Sequence, residues 1–509
     1  MRDPIITQLG GTARQVELPV PSGGLNTRES RSAMDLLDAV QFENVVSEPD
    51  GIISRRGYES FLTGMSGKVN SISDYIAGTT RKMVVGCGTV LYDSNVNGGT
   101  ANSVRTGFTV TTFETAQLGG NMVLVNGADQ PQIYNGTTST DAVYTGDLQT
   151  DGPENVDGIN VHKSRVYVWD TNTSDFYYGA TDAIQGAFAK FPLNLVSKTG
   201  GNLLMMRSIS RDGGDGFDDY AAFILDTGEV LIYQGSDPGN ASNWSLVGRY
   251  FIPAPINKRS AVEFAGDVLV LTRQDVIPLS STINASGETG GVLLKSSKLS
   301  GAIRDAFQTF GSNNDWEIVL YNNAGWFIVN VPITDGSSYF QYVNVLQTSA
   351  PSKFTGWNGT TFASFNNGLY FGGTGVVYRG DFGFSDDGSE IPCVAQQAFN
   401  TLSSGNIKNV KNVTITYLFD GTATLGANVG YDYVDKQVIN LSTSTPVGSQ
   451  WDVAAWDASE WSGAAAARNI KFSVAGTGRA LSTVMEYNIK GARFKWLGTN
   501  LSLEIQKMI

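Results

Sequence analysis

Between Tyr220 and Ser280, short apolar runs alternate with polar punctuation at a spacing that suits strands and not helices. Residues 223–225 lead into Asp226-Thr227-Gly228, residues 229–233 return, and Gln234-Gly235-Ser236-Asp237-Pro238-Gly239 ends the pair. Residues 244–250 supply a third strand, and Gly266-Asp267 opens the run 268–271, which closes near Ile277-Pro278-Leu279-Ser280. Hairpins of this kind predict an antiparallel all-β architecture of repeated small sheets.

The same theme extends over residues 60–390. An apolar strand ends in tyrosine and a turn follows, as in Leu91-Tyr92-Asp93, Ile133-Tyr134-Asn135-Gly136, Tyr177-Tyr178-Gly179, Ile232-Tyr233-Gln234-Gly235 and Val377-Tyr378-Arg379-Gly380. Apart from the gap after Tyr233, the intervals match a propeller blade, and residues 59–390 are expected to form a degenerate β-propeller of about six to eight blades. One helix interrupts it, with Leu299, Ala302, Ile303, Ala306, Phe307 and Phe310 on a single face.

Residues 1–58 form the next expected domain. Up to residue 30 it reads as an extended N-terminal arm, because Gly10-Gly11, Pro19, Pro21 and Gly23-Gly24 exclude a helix while Val16, Leu18 and Val20 alternate. Such an arm lies on its own domain or adds a strand to a neighbouring copy. Met34, Leu37, Val40 and Val45 predict a short amphipathic helix closed by Pro49-Asp50-Gly51. Residues 391–509 are expected to form a C-terminal β-sandwich-like domain, since Val413, Ile415, Tyr417 and Phe419 alternate before Asp420-Gly421. Trp451, Trp456 and Trp461 recur every five residues, which fits neither a helix face nor one strand. They anchor a contact surface or pack in a core.

Composition narrows the function. With 59 glycines and only 16% charged residues among 509, the chain suits many turns joining uncharged strands. A formal net charge of -13 argues against a protein that grips phosphates, while an acidic wall would let a polyanion slide past. Cys87 and Cys393 define no disulfide framework. No signal-peptide pattern or membrane-spanning apolar run is present, so production in the cytoplasm is expected.

Catalytic signatures are sparse. His162 is the only histidine and sits at a strand start. Gly64-Met65-Ser66-Gly67-Lys68-Val69 is too short for a phosphate loop and lacks the hydroxyl residue after lysine. Asp212, Asp215, Asp218 and Asp219, interleaved with Gly213, Gly214 and Gly216, form either a solvated acidic loop, part of a channel wall, or a loop for a hard cation. No catalytic residue, cofactor or resident metal is expected.

Several segments resemble the tail nozzle, or tail tubular, proteins of short-tailed bacteriophages. They are Gly23-Gly24-Leu25-Asn26-Thr27-Arg28 with Asp38-Ala39-Val40, Asn44, Pro49 and Arg56-Gly57-Tyr58; residues 123–131 with Tyr134-Asn135-Gly136; His162-Lys163-Ser164-Arg165 with Gly186-Ala187-Phe188; residues 228–280; and Trp451-Asp452 with Trp456-Asp457. The resemblance implies a virion structural protein, assembled in the host cytoplasm and located in the tail. It implies a homohexameric ring beneath the portal and its adaptor that docks fibres and other tail proteins and passes double-stranded DNA during ejection. The other readings are a receptor- or carbohydrate-binding tail protein and a polysaccharide-degrading tail enzyme. The β-helix repeats usual for those are absent from the sequence.

Overall fold

The hairpins expected between residues 220 and 280 form, and their turns explain their register. Phe217–Leu225 pairs antiparallel with Glu229–Gly235, which pairs with Trp244–Phe251. The turn at Asp226-Thr227-Gly228 needs its glycine: φ is +89°, and a Cβ there would lie 2.1 Å from the Ile252 carbonyl oxygen. The structure, a computed structural model, describes residues 6–8, 13–212, 217–285, 297–334, 337–419, 424–442 and 467–506. They fall into two units, one of residues 60–340 and 358–379, the other of residues 1–59, 341–357 and 380–509.

The first unit is a β-propeller of six self-contained sheets, with a hairpin filling one further position in the circle. The consecutive strands of each blade run outward from an innermost strand. Blades 1 to 5 begin with Val69–Ala77, Glu114–Leu118, Gly158–His162, Leu203–Asp212 and Ala261–Phe264. The hairpin of Glu317–Tyr321 and Trp326–Thr334 follows, and Phe362–Phe365 opens the closing blade. These starts recur at about 45 residues except on either side of blade 5, where longer segments intervene. Innermost strands touch in sequence order, and Phe362–Phe365 returns to Val69–Ala77, closing the circle. The closing blade joins Phe362–Phe365, Gly368–Gly372 and Val377–Gly380 to Tyr58–Thr63, so strands distant in the chain complete one sheet.

The tyrosine theme has a structural meaning. Tyr92, Tyr134, Tyr177, Tyr233 and Tyr378 all lie on the third strand of their blades. The first four are buried, where a large ring fills space between adjacent sheets. Between blades 3 and 4, Phe176 stacks on Phe191 and Phe223 with centroids at 4.9 and 4.6 Å, and Tyr233 stacks on Trp244 at 5.0 Å. Each such ring withdrawn from water contributes about 1.5–3 kcal/mol. Ser300–Phe310 is the expected helix, burying Ala302, Ile303 and Ala306, and two shorter helices occupy Asp147–Asp151 and Leu279–Ala285. Among the described residues, no helix is long and apolar enough to cross a membrane.

The second unit is a sandwich-like pair of sheets. In one, Ala13–Leu18 pairs with Phe494–Gln506, which pairs with Ile407–Phe419. Ala13–Leu18 is thus the strand of the N-terminal arm. In the other, Asp38–Glu43 is flanked by Ala350–Phe354 and Ile391–Gln397, with Leu481–Ile489 and Thr424–Tyr431 beyond. The alternation of Val413, Ile415, Tyr417 and Phe419 holds, all four being buried. The short helix expected over residues 33–46 does not form. Asp38–Glu43 and Val45–Glu48 are strands, and Leu37, needed for the helix face, is exposed. Neighbouring strands on both sides capture this segment, and that tertiary pairing outweighs a weak helical period.

Arg55 joins three separated segments of this unit. Its side chain is fully buried against Asp386. Nε donates to Asn44 Oδ1 at 2.8 Å, Nη1 to the Arg56 carbonyl and Asp386 Oδ1, and Nη2 to the Thr355 carbonyl and Asp386 Oδ2. All five guanidinium donors are thus used, and the group lies over the Trp357 and Phe354 rings at 5.1 and 5.7 Å. Arg55→Met strands a buried carboxylate and is expected to lower stability by about 3–5 kcal/mol in urea denaturation. Arg55→Lys should recover less than half of the loss, because an ammonium cannot reproduce the planar fork. A loss below about 1 kcal/mol would place the pair among ordinary surface bridges.

Candidate functional site

The positions just before the innermost strands carry most of the charge on the propeller axis. Lys68 precedes Val69, Asp157 precedes Gly158, Lys258-Arg259 precede Ala261, and Asp315-Trp316 precede Glu317. Because the strands converge, residues hundreds of positions apart become neighbours. Lys68 Nζ meets Asp315 Oδ2 at 2.5 Å, and Lys258 Nζ meets Asp157 Oδ2 at 3.1 Å.

Arg259 occupies the centre of this arrangement. Its Nε meets Glu114 Oε1 at 2.8 Å, its Nη1 donates to the Asn70 carbonyl at 3.1 Å, and its Nη2 donates to the Phe113 carbonyl at 3.2 Å. The Arg259 carbonyl in turn accepts the Ile318 amide at 3.1 Å. One residue of blade 5 thereby reaches blades 1 and 2 and the Glu317 hairpin across the axis. Burial works against its cation, but the carboxylates of Glu114 and Glu317 outweigh that and hold its pKa above the ordinary value.

Glu317 is 4% exposed and stands 3.9 Å from Arg259 Nη1. It accepts the Phe362 amide at 2.5 Å and the Thr361 hydroxyl at 3.1 Å. Burial nevertheless pushes its pKa up to about 7, with Arg259 opposing. Around these groups is a cavity of about 200 Å³, lined mainly by polar groups that include Ser73, Thr115, Arg207 and Thr361.

This axial cluster was not foreseen from the sequence. Each member reads alone as a loop or strand residue, and no local motif joins them. The residues that were foreseen lie elsewhere. Asp212 and Asp218 belong to strands Leu203–Asp212 and Phe217–Leu225 of blade 4, while residues 213–216, including Asp215, fall outside the described residues. Asp219 is exposed and accepts the Ser210 hydroxyl at 2.5 Å. Trp451, Trp456 and Trp461 also fall outside the described residues. Among the described residues, no three His, Cys, Asp or Glu side chains converge as a metal site. His162 is 2% exposed, its Nδ1 lies 2.9 Å from Ser208 Oγ, and burial holds its pKa down at about 4. Cys87 and Cys393 are both buried free thiols.

The Glu317 geometry generates a pH dependence. A carboxyl whose folded pKa is about 7, above its ordinary 4.5, binds a proton in the folded state that the unfolded chain has released. Its contribution to stability is full below about 4.5 and is lost as pH rises through 7. Glu317→Gln removes this loss, so its stability relative to the parent should improve between pH 5 and pH 8 in urea denaturation. An offset that does not change with pH would mean that Glu317 titrates normally.

No family model matches the chain, and no curated protein matches it. Among solved structures, Raptor from Chaetomium thermophilum is 10% identical over 64% of this chain and 29% of its own, with a TM-score of 0.40. The extracellular domain of a putative one-component system from B. thetaiotaomicron is 9% identical over 86% of this chain, with a TM-score of 0.42, and 63% of that chain is matched. The computationally designed Ika8 protein is 10% identical, matched over 99% of its length and 64% of this chain, with a TM-score of 0.37.

Proposed function

We propose that this chain is a structural component of a bacteriophage tail, a nozzle subunit whose copies close into a ring below the portal and its adaptor. The observation that carries the reading is that the propeller's axial charges are spent on one another and on backbone groups, as Arg259 shows with Glu114, Asn70 and Phe113. Such an arrangement stiffens a wall. The nozzle-like segments, running in order from residue 23 to residue 457, support a virion tail as the setting of that wall.

On this reading DNA does not pass through the propeller itself. Its axial cavity of about 200 Å³ is crossed by Arg259, whereas the major groove alone of a duplex is about 12 Å wide. The passage is the space enclosed by the ring, and the net charge of -13 per copy keeps phosphates from adhering to it. The docking of fibres and other tail proteins belongs to the same ring.

Negative-stain imaging and native mass measurement of the purified chain are expected to give a six-fold ring with an opening wide enough for a duplex. A solitary subunit, or an assembly without an opening, would overturn the proposal. Duplex DNA is expected not to be retained at about 150 mM salt and to show almost no dependence of binding on salt. Retention with a steep salt slope would mark a protein that grips phosphates.

A further inference from the structure

The two guanidinium groups in the axial cavity are treated differently. Arg259 has Glu114 at 2.8 Å and Glu317 at 3.9 Å. Arg207, on the innermost strand of blade 4, reaches backbone carbonyls only. Its Nη1 donates to Met206 O at 2.9 Å, and its Nε and Nη2 donate to Ala261 O at 3.4 and 3.3 Å. A guanidinium carries five N–H donors, so part of the fork is left over, and the two bonds to Ala261 are long. Glu263, the acid on the adjoining strand, is committed to the Ser208 amide at 3.0 Å. Arg207 thus brings a positive charge into the cavity with no carboxylate paired to it among the described residues.

We propose that this cavity is a binding site for a small tetrahedral oxyanion of the sulfate or phosphate class, anchored by Arg207. The Ser73 hydroxyl, which accepts from the Thr115 hydroxyl at 3.1 Å, lines the same space and adds a donor. A water occupies about 30 Å³ of liquid, so about 200 Å³ accommodates such an ion with part of its hydration. A planar guanidinium edge matches two oxygens of the ion at once. The site lies within one chain and stands whether or not copies assemble into a ring.

The local charges also set a direction with pH. Arg207, Arg259, Glu114 and Glu317 line the cavity, Glu263 lies beside it, and Asp315 nearby is paired with Lys68. While Glu317 keeps its proton, the lining carries Arg207 and Arg259 against Glu114 alone. Once Glu317 ionises near pH 7, the lining is neutral and the ion is held less tightly.

Titration calorimetry of the full chain with sodium sulfate tests this, because sulfate keeps its charge over the range used. One saturable site is expected at pH 6, weakened severalfold at pH 8. Arg207→Gln should weaken it at least about tenfold, as expected for loss of a charge-assisted pair of hydrogen bonds. Arg207→Lys, which keeps the charge, should weaken it less, and it decides the matter if the glutamine variant does not fold. Phosphate should compete with sulfate and succinate should not. Absence of saturable binding up to about 10 mM sulfate, undiminished affinity in both Arg207 variants, or a preference for succinate would each overturn the proposal.

Discussion

A circle of sheets leaves one edge of every innermost strand facing the axis, where no further strand can pair its peptide groups. Meeting that demand shapes the whole centre of the propeller. Arg259 supplies donors to the Asn70 and Phe113 carbonyls, Asn160 to Met206, Asn257 to Trp316, and Ser71 to Thr111. Glu317 does the converse, accepting the Phe362 amide. A cluster of arginine, glutamate and hydroxyl side chains in a cavity resembles catalytic chemistry when listed by residue type. Here much of it follows from the geometry of closure, since Arg259, Arg207 and Glu317 all bond backbone groups.

The same rule governs the sandwich-like unit. Arg55 is buried with all five donors engaged, and Lys408, also buried, gives its ammonium to the carbonyls of Ser404, Asn406 and Arg479. Burial holds the Lys408 pKa below its ordinary value, yet three carbonyl dipoles replace the water that was lost. Cations used in this way are withdrawn from solvent and offer nothing to a passing phosphate.

Much of this fold was legible because local and global preferences agree. The Asp226-Thr227-Gly228 turn, the third-strand tyrosines and the face of Ser300–Phe310 are each fixed by a few neighbouring residues, so sequence alone exposes them. What escaped was set by distant partners. Asp38–Glu43 is a strand because Ala350–Phe354 and Ile391–Gln397 flank it, and no window of the sequence contains all three. The axial cluster was hidden for the same reason, since Asn70, Glu114, Arg259 and Glu317 become neighbours only after the circle closes. Asp212, Asp215, Asp218 and Asp219 drew notice as a dense local run, whereas the axial cluster is made of single residues spread over three blades and the Glu317 hairpin.

Closure explains why Arg259 is where it is, but it does not account fully for Arg207. A backbone carbonyl needs one good donor, and the Ala261 carbonyl receives two long bonds from a group able to make better ones. Stabilising that edge would need only a neutral side chain, as Asn160 demonstrates one blade away at 3.0 Å from the Met206 carbonyl. A full positive charge at such a position costs desolvation that a neutral donor avoids. The surplus charge becomes intelligible if a mobile anion supplies the counter-charge that Glu114 supplies to Arg259. Structural closure and ion binding then share one set of strands, the first using the donors that face the backbone and the second using those that face the cavity.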